Sequence, residues 1–229
     1  MKCLFRIADS EFHSFSFDPI DSRMYLLIAN NKALTIDPCV DEAVLQLLKD
    51  KNVTDVLVLP THEHYDHISG INWLKAHFSC NVVASEQCAK NMMNPKRNLS
   101  AHIEALFIFA SDEVKAKISA QMVQPYLCTA DEVFNRYKCF IWQNHKVEIK
   151  ETPGHSKGSV CIIIDNEYIF TGDSLIKGVP TITRLPGGSR NEFTKNTLPF
   201  LKTLPQSSTI LPGHGEAGHM HELFSFPWS

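Results

Sequence analysis

The stretch Asp55-Val56-Leu57-Val58-Leu59-Pro60-Thr61-His62-Glu63-His64-Tyr65-Asp66-His67 decides how this chain is read. Its first five residues form an apolar, β-branched run that predicts a buried strand. The strand leads straight into four residues of metal-ligating type: His62, His64, Asp66 and His67. In an extended segment, residues two apart point the same way. His62, His64 and Asp66 are therefore expected to face one site, with His67 turning toward a neighbouring site as a helix begins. Imidazole together with carboxylate is the donor set of zinc, and iron or manganese can use it too. The alternative is a solvated strand-to-helix loop with Asp66 as the helix N-cap. So dense a set of ligand-type side chains directly after a buried strand weighs against it.

The pattern recurs downstream. Val147-Glu148-Ile149 alternates like a strand and leads to Thr152-Pro153-Gly154-His155. Tyr168-Ile169-Phe170 leads to Thr171-Gly172-Asp173, and Thr209-Ile210-Leu211 leads to Pro212-Gly213-His214. Each time an apolar run ends in a glycine-containing turn and a His or Asp follows. A rigid sheet that projects donors from its strand-end loops suits a metal site.

In chain order, His62-x-His64-x-Asp66-His67, His155, Asp173 and His214 make the chain resemble the metallo-β-lactamase-fold hydrolases over about residues 25–216. The flanking words Thr-Pro-Gly-His-Ser, Phe-Thr-Gly-Asp-Ser and Leu-Pro-Gly-His-Gly match as well. The resemblance implies an α/β fold, a four-layer αββα sandwich with metals at one edge. It implies a single such domain over residues 1–229 with a helical insertion at about 100–137. It also implies that His62, His64 and His155 bind a first metal, that Asp66, His67 and His214 bind a second, and that Asp173 bridges them. Two divalent ions per chain are then expected, zinc in first place, with iron or manganese as alternatives.

Within that superfamily the chain looks most like the small glyoxalase II-type (hydroxyacylglutathione hydrolase-like) proteins. Asn98-Leu99-Ser100 follows a Pro-Lys-Arg turn as it does there, and Leu185-Pro186-Gly187-Gly188 follows the bridging-Asp loop at a similar distance. Two features depart. Thr181-Ile182-Thr183-Arg184 stands where short members carry Gly-Arg-Thr-Asp. The chain also ends soon after His214, without the C-terminal helical domain that helps bind glutathione in full-length glyoxalase II. The implied activity is hydrolysis of a thioester by a metal-bridging hydroxide, with Asp66 orienting it as well as binding metal. The rivals are a lactonase or phosphodiesterase on the same ligands, and a persulfide dioxygenase using only His62, His64 and His155 on a single iron. A β-lactamase is disfavoured, because members with that activity usually lack the bridging Asp.

Length and composition agree with this reading. The 229 residues are 44% hydrophobic, ordinary for a chain with a substantial core. A net charge of −3 gives no polyanion-binding signal, so a small-molecule substrate is expected rather than nucleic acid. The seven cysteines show no Cys-x-x-Cys pair, which predicts reduced thiols and a cytoplasmic protein. Cys39 and Cys161 lie near the site-bearing strands and read as small buried apolar residues in preference to thiol ligands. The first residues lack a signal-peptide pattern, and no apolar run is long enough to span a bilayer.

Strands are expected at about 23–29, 33–37, 55–60, 81–84, 146–151, 159–165, 168–172 and 208–212, and helices at about 41–51, 68–78, 86–93, 100–121 and 192–204. The alternation argues for sheets covered by helices. The six histidines outside the motif, His13, His77, His102, His145, His219 and His221, read as surface or capping residues. Glu63 and Tyr65 should point away from the metals, leaving Glu63 as general base a minor option. Lys157, Lys177, Arg184, Arg190 and Lys195 read as solvated charge that could also meet an anionic substrate group. The run Leu106-Phe107-Ile108-Phe109 is too apolar for a fully exposed helix; a lid, a homodimer contact and core packing all fit it.

Overall fold

The apolar strands pair into two sheets. The computed structural model describes residues 3–7, 10–17, 20–121 and 125–223. The first sheet takes β1 (Cys3–Ile7), β2 (Ser10–Phe17), β3 (Ser22–Ala29), β4 (Lys32–Ile36), β5 (Asp55–Leu59), β6 (Ser79–Ser85) and β7 (Glu132–Phe134), side by side in that order. The second takes β8 (Tyr137–Trp142), β9 (His145–Glu151), β10 (Val160–Ile164), β11 (Tyr168–Gly172), β12 (Thr209–Pro212) and β13 (Gly218–His219), in the spatial order β13-β12-β11-β10-β9-β8.

Strand alternation sorts the apolar side chains into layers. Tyr25 and Leu27 of β3 turn inward and meet Val147, Ile149, Ile162 and Phe170 of the opposite sheet. Met24, Leu26 and Ile28 turn outward and pack under α1 (Glu42–Asp50), α3 (Ile71–His77) and α4 (Glu86–Met92) through Val44, Leu48, Ile71, Leu74 and Met92. On the far side, Cys161, Ile169 and Ile210 pack under Phe193, Leu201 and Met220. These belong to a helical run of α7 (Arg190–Glu192), a π turn (Phe193–Thr197) and α8 (Leu198–Leu201), and to α9 (Met220–Leu223). Helix, sheet, sheet, helix is the four-layer order expected, and strands buried on both faces read as continuous apolar runs for that reason.

The topology places several strand ends at one edge. β4, β5 and β6 run parallel, as do β11 and β12, and β9 runs with β11 because each pairs antiparallel with β10. Asp37, Thr61, His155, Asp173 and His214 all lie in loops leaving the carboxyl ends of these strands. The Tyr25 hydroxyl donates to the Pro212 carbonyl at 2.7 Å and joins the two sheets beside this edge.

Three expectations need correction. Helix ends at α6 (Asp112–Gln121), and residues 132–134 form β7, so the insertion is not helical as far as 137. Its helical part is broken into a 3-10 turn (Ser100–His102), α5 (Ile103–Leu106) and α6. Phe107 packs against the first core, whereas Phe109 is 99% exposed, so the apolar run divides between core and surface. Third, His13 and His145 are buried, not superficial. His145 Nε2 lies 2.7 Å from Ser10 Oγ and its Nδ1 2.6 Å from Asp165 Oδ2, which joins the sheets at the end opposite the clustered loops. Partners on both ring nitrogens are what make burial of this imidazole tolerable. Among the described residues, no helix is long and apolar enough to cross a membrane.

Candidate metal centre

The loop after β5 bends through His62 and His64, and α2 (Tyr65–Ile68) starts at once. This early helix changes the grouping expected from strand alternation. His62 and His64 do face one point, but Asp66 lies in the first helical turn and swings to His67 instead. His64, not Asp66, occupies the N-cap position.

Among the described residues, three sets of ligand-type atoms cluster: His62, His64 and His155; His62, His67 and Asp173; and Asp66, His67 and His214. In the first, His64 Nδ1 is 3.1 Å from His62 Nε2 and 3.0 Å from His155 Nε2. In the last, Asp66 Oδ2 is 3.1 Å from His67 Nε2 and 3.2 Å from His214 Nε2. Asp173 lies between the sets. Its Oδ2 is 3.5 Å from both His155 Nε2 and His214 Nε2, and its Oδ1 is 3.6 Å from His67 Nε2.

The outer nitrogens explain why these inner atoms suit a cation. His155 Nδ1 faces the Ile182 carbonyl at 2.9 Å, and His214 Nδ1 faces the Ile20 carbonyl at 3.1 Å. A carbonyl only accepts, so both Nδ1 atoms carry the proton. His67 Nδ1 is held the same way by Asp37 Oδ2 at 2.9 Å. Thr61 Oγ1 donates to Asp37 at 2.7 Å and is thereby left to accept from His62 Nδ1 at 3.1 Å. Four imidazoles are thus fixed with Nε2 lone pairs converging on one space, beside two carboxylates. Nitrogens bound at 2.0–2.1 Å around a tetrahedral ion sit about 3.3 Å apart, close to the spacings seen here. His67 Nε2 and Asp173 Oδ1 are buried with no hydrogen-bond partner, as atoms awaiting a cation would be.

Electrostatics divides the cluster in two. Burial, reinforced by the rings of His67, His64 and His155, holds His62 well below the usual histidine range. Burial pushes His64 down to about 3 and lowers His155 as well. These three are neutral imidazoles, the form that ligates metal. In the other set, burial opposes charge on His67, but Asp66, Asp37 and Asp173 outweigh it and hold the ring well above its ordinary value. His214 is raised against burial by Asp66 and Asp173, while Asp66 is held well below the carboxylate range, against its own burial, by His67 and His214. This half attracts positive charge, which protons supply when no metal does.

Asp37 was missed in the sequence, although it leaves β4 just as the other candidates leave their strands. It is 2% exposed and also accepts the Thr61 N–H at 2.6 Å. Burial raises its pKa, and His67 and Thr61 act against that. Gly213 has a specific reason to be glycine: a Cβ there would collide with Asp173 Oδ1 and lie 2.8 Å from His67 Cε1.

Other expected residues fall outside the cluster. The Glu63 carboxylate is bound by Asn91 and Ser156, which removes it as a general base. Cys39 and Cys161 are buried thiols pushed up to about 12, and neither joins a ligand set. His219 and His221 join none either. Lys157, Lys177, Arg184, Arg190 and Lys195 are all exposed, and Lys177 pairs with Glu222 at 3.4 Å. Asn98 serves the backbone: its side chain donates to the Met92 and Tyr126 carbonyls and accepts from Ser100 N–H, bracketing Leu99 at a φ of 68°.

Comparison with known proteins places this geometry. The family model described as the metallo-beta-lactamase superfamily matches residues 18–214. The probable metallo-hydrolase YqgX of Bacillus subtilis is 28% identical over 199 residues, 86% of each chain. A hydroxyacylglutathione hydrolase of Pelagibacter ubique is 28% identical over 200 residues, covering 85% of this chain and 66% of its own. The solved structure of the BLEG-1 B3 metallo-beta-lactamase superposes with a TM-score of 0.76 at 24% identity, over 94% of this chain and 97% of that one, a likeness of fold. With the family model spanning every residue of the cluster, this chain belongs to the metallo-beta-lactamase superfamily.

Proposed function

We propose that the chain is a dinuclear metal-dependent hydrolase of a thioester, similar in activity to glyoxalase II. In this reading His62, His64 and His155 hold one divalent ion, Asp66, His67 and His214 hold a second, and Asp173 serves both. The observation that carries it is the completeness of both donor sets around one shared carboxylate. Zinc is the first expectation for the ions, with iron or manganese as alternatives. When bound, two such ions supply Lewis acidity and a water whose pKa falls to roughly 7.

The chain's own groups do the rest. The Ile182 and Ile20 carbonyls, Thr61 and Asp37 keep four Nε2 lone pairs aimed inward, so the donors need no rearrangement before reaction. Asp66 presents an ionised oxygen at the partly open side of the cluster, where it can orient an attacking water. The reaction adds water across the C–S bond, giving a carboxylate and a thiol. Thioester is the favoured substrate because curated relatives at similar identity include hydroxyacylglutathione hydrolases. A single-iron dioxygenase would need only His62, His64 and His155, which leaves the second set and its Asp37 support without purpose.

Two measurements test this. Elemental analysis after metal-replete expression should give two divalent ions per chain. A panel of thioesters (S-lactoylglutathione included), lactones, phosphodiesters and β-lactams, run on zinc, iron and manganese forms, should favour a thioester. A preference for lactones or phosphodiesters over every thioester would overturn the substrate assignment, and oxygen uptake with a persulfide would overturn the reaction class.

A further inference from the structure

One charged side chain beside the metal centre has no place in the mechanism above. Glu63 stands between His62 and His64 in sequence and is 0% exposed. Burying a carboxylate is costly, and an apolar side chain fills space far more cheaply. Its contacts show what the charge achieves. Oε2 accepts from Ser156 Oγ at 2.8 Å, and Ser156 directly follows His155. Oε1 accepts from Asn91 Nδ2 at 2.7 Å, on α4. A Cβ on Gly158 would collide with Oε2, so glycine is what lets the His155 loop close onto Glu63. Ser156 N–H in turn donates to Ser159 Oγ at 3.1 Å, and Ser85 Oγ donates to the Gly158 carbonyl at 2.9 Å, which holds that loop from both sides.

We propose that Glu63 is a positioning residue that fastens the His62–His64 loop to the His155 loop and so sets the geometry of the three-histidine site. This rests on the dinuclear reading above. These three histidines come from two loops far apart in sequence. The Glu63–Ser156 bond is the side-chain link that spans them one residue away from the ligands on each side. A carboxylate accepts on both edges and so takes the Asn91 and Ser156 donors together. Glutamine keeps the volume but turns one edge into a donor, which either faces the Asn91 amide or turns the Ser156 hydroxyl away toward Ser159 Oγ. The His67–His214 half is built from α2, β11 and β12 and makes no contact through Glu63.

The test is a chelator-competition titration of the metal-depleted full chain with Co²⁺, followed by visible absorbance. Wild type, Glu63→Gln and Ser156→Ala are compared, with Glu63→Ala added if it folds. The same titrations in a His214→Ala background assign the two binding steps, and thermal unfolding of the metal-free forms reports stability. Wild type should take up two ions. Glu63→Gln and Ser156→Ala should weaken the three-histidine step by about 10- to 100-fold and leave the other unchanged. Unaltered affinity in both variants would overturn the inference and leave the hydrolase reading standing. Equal weakening of both steps with loss of stability would also overturn it, by assigning Glu63 to the fold alone. Failure of wild type to bind a pair of ions would remove the dinuclear reading and this inference with it.

Discussion

Asp37→Asn should disable the second metal position by reversing a tautomer. The Asp37 carboxylate takes three donors: Thr61 N at 2.6 Å, Thr61 Oγ1 at 2.7 Å and His67 Nδ1 at 2.9 Å. Asparagine has the same size but only one acceptor oxygen. If that oxygen keeps Thr61 N–H, the amide NH2 points at His67 Nδ1 and donates to it. The ring proton then moves to Nε2, the atom meant to ligate. Restoring the Nε2 lone pair sets two donors against each other and breaks one buried hydrogen bond, at about 1–3 kcal/mol. That corresponds to a loss of about 5- to 150-fold in affinity for one ion. The opposite amide orientation gives no escape, because it sets NH2 against Thr61 N–H. Metal titration of the metal-depleted protein should therefore show the His67 step weakened, with the three-histidine step weakened as well to the extent that the amide NH2 turns the Thr61 hydroxyl proton onto His62 Nδ1. Wild-type affinity at both steps, in a variant whose crystal structure keeps the new amide side chain where the carboxylate stood, would refute the tautomer argument.

Asp173→Ala should remove most hydrolytic activity and leave the metal-free protein folded, since the three apolar clusters do not include it; normal turnover of a metal-loaded variant would sink the shared-carboxylate mechanism. Gly213→Ala should push both Asp173 and His67 off their positions, costing about 1–3 kcal/mol of stability and at least tenfold in turnover, read by thermal unfolding and kinetics. The buried thiols give a pH prediction. Burial raises Cys39, Cys128 and Cys161 from 9.0 to about 12, so between those values the unfolded chain has lost protons that the folded chain keeps. Stability should then fall with rising pH by about 1.4 kcal/mol per thiol per unit, measured by urea unfolding from pH 9 to 11, and Cys161→Ala should flatten the slope.

The candidate ligands were legible because His155, Asp173 and His214 each follow an apolar strand and a glycine-containing turn, while His62, His64, Asp66 and His67 crowd together directly after the β5 strand, and both signals are local. What escaped was either non-local or chemically disguised. Asp37 follows Ile36 without a glycine or a second ligand beside it, and its role appears only when β4 and β5 lie parallel and bring it to Thr61 and His67. β2 escaped because serines and a histidine interrupt its apolar face, although Phe12 packs between the sheets and Phe15 and Phe17 pack under the helices. β8 escaped because its hairpin to β9 turns on Gln143-Asn144, both at positive φ, where Asn-Gly is the familiar signal. His145 misled because a histidine with two partners can be buried, and its partners, Ser10 and Asp165, lie far from it in sequence.

The segment Thr181-Ile182-Thr183-Arg184, where the chain departs from the small glyoxalase II-type pattern, touches the site in a way that explains the departure. Its structural duty toward the metal centre is the Ile182 carbonyl, which fixes the His155 tautomer at 2.9 Å. A main-chain carbonyl is the same in every residue, so the duty constrains the backbone path and not the side chain. Thr181 Oγ1 helps hold that path by donating to the Ser174 carbonyl at 3.0 Å, beside Asp173. The Ile182 side chain itself is 41% exposed, and Val179 nearby is 45% exposed. Side chains here can therefore vary without loosening His155, and the exposed Ile182 side chain sits on the residue whose carbonyl meets His155 Nδ1. Ile182→Asp should consequently shift KM across the thioester panel and leave metal content at the wild-type value. Loss of metal on that substitution would show that the side chain, and not the carbonyl alone, supports His155.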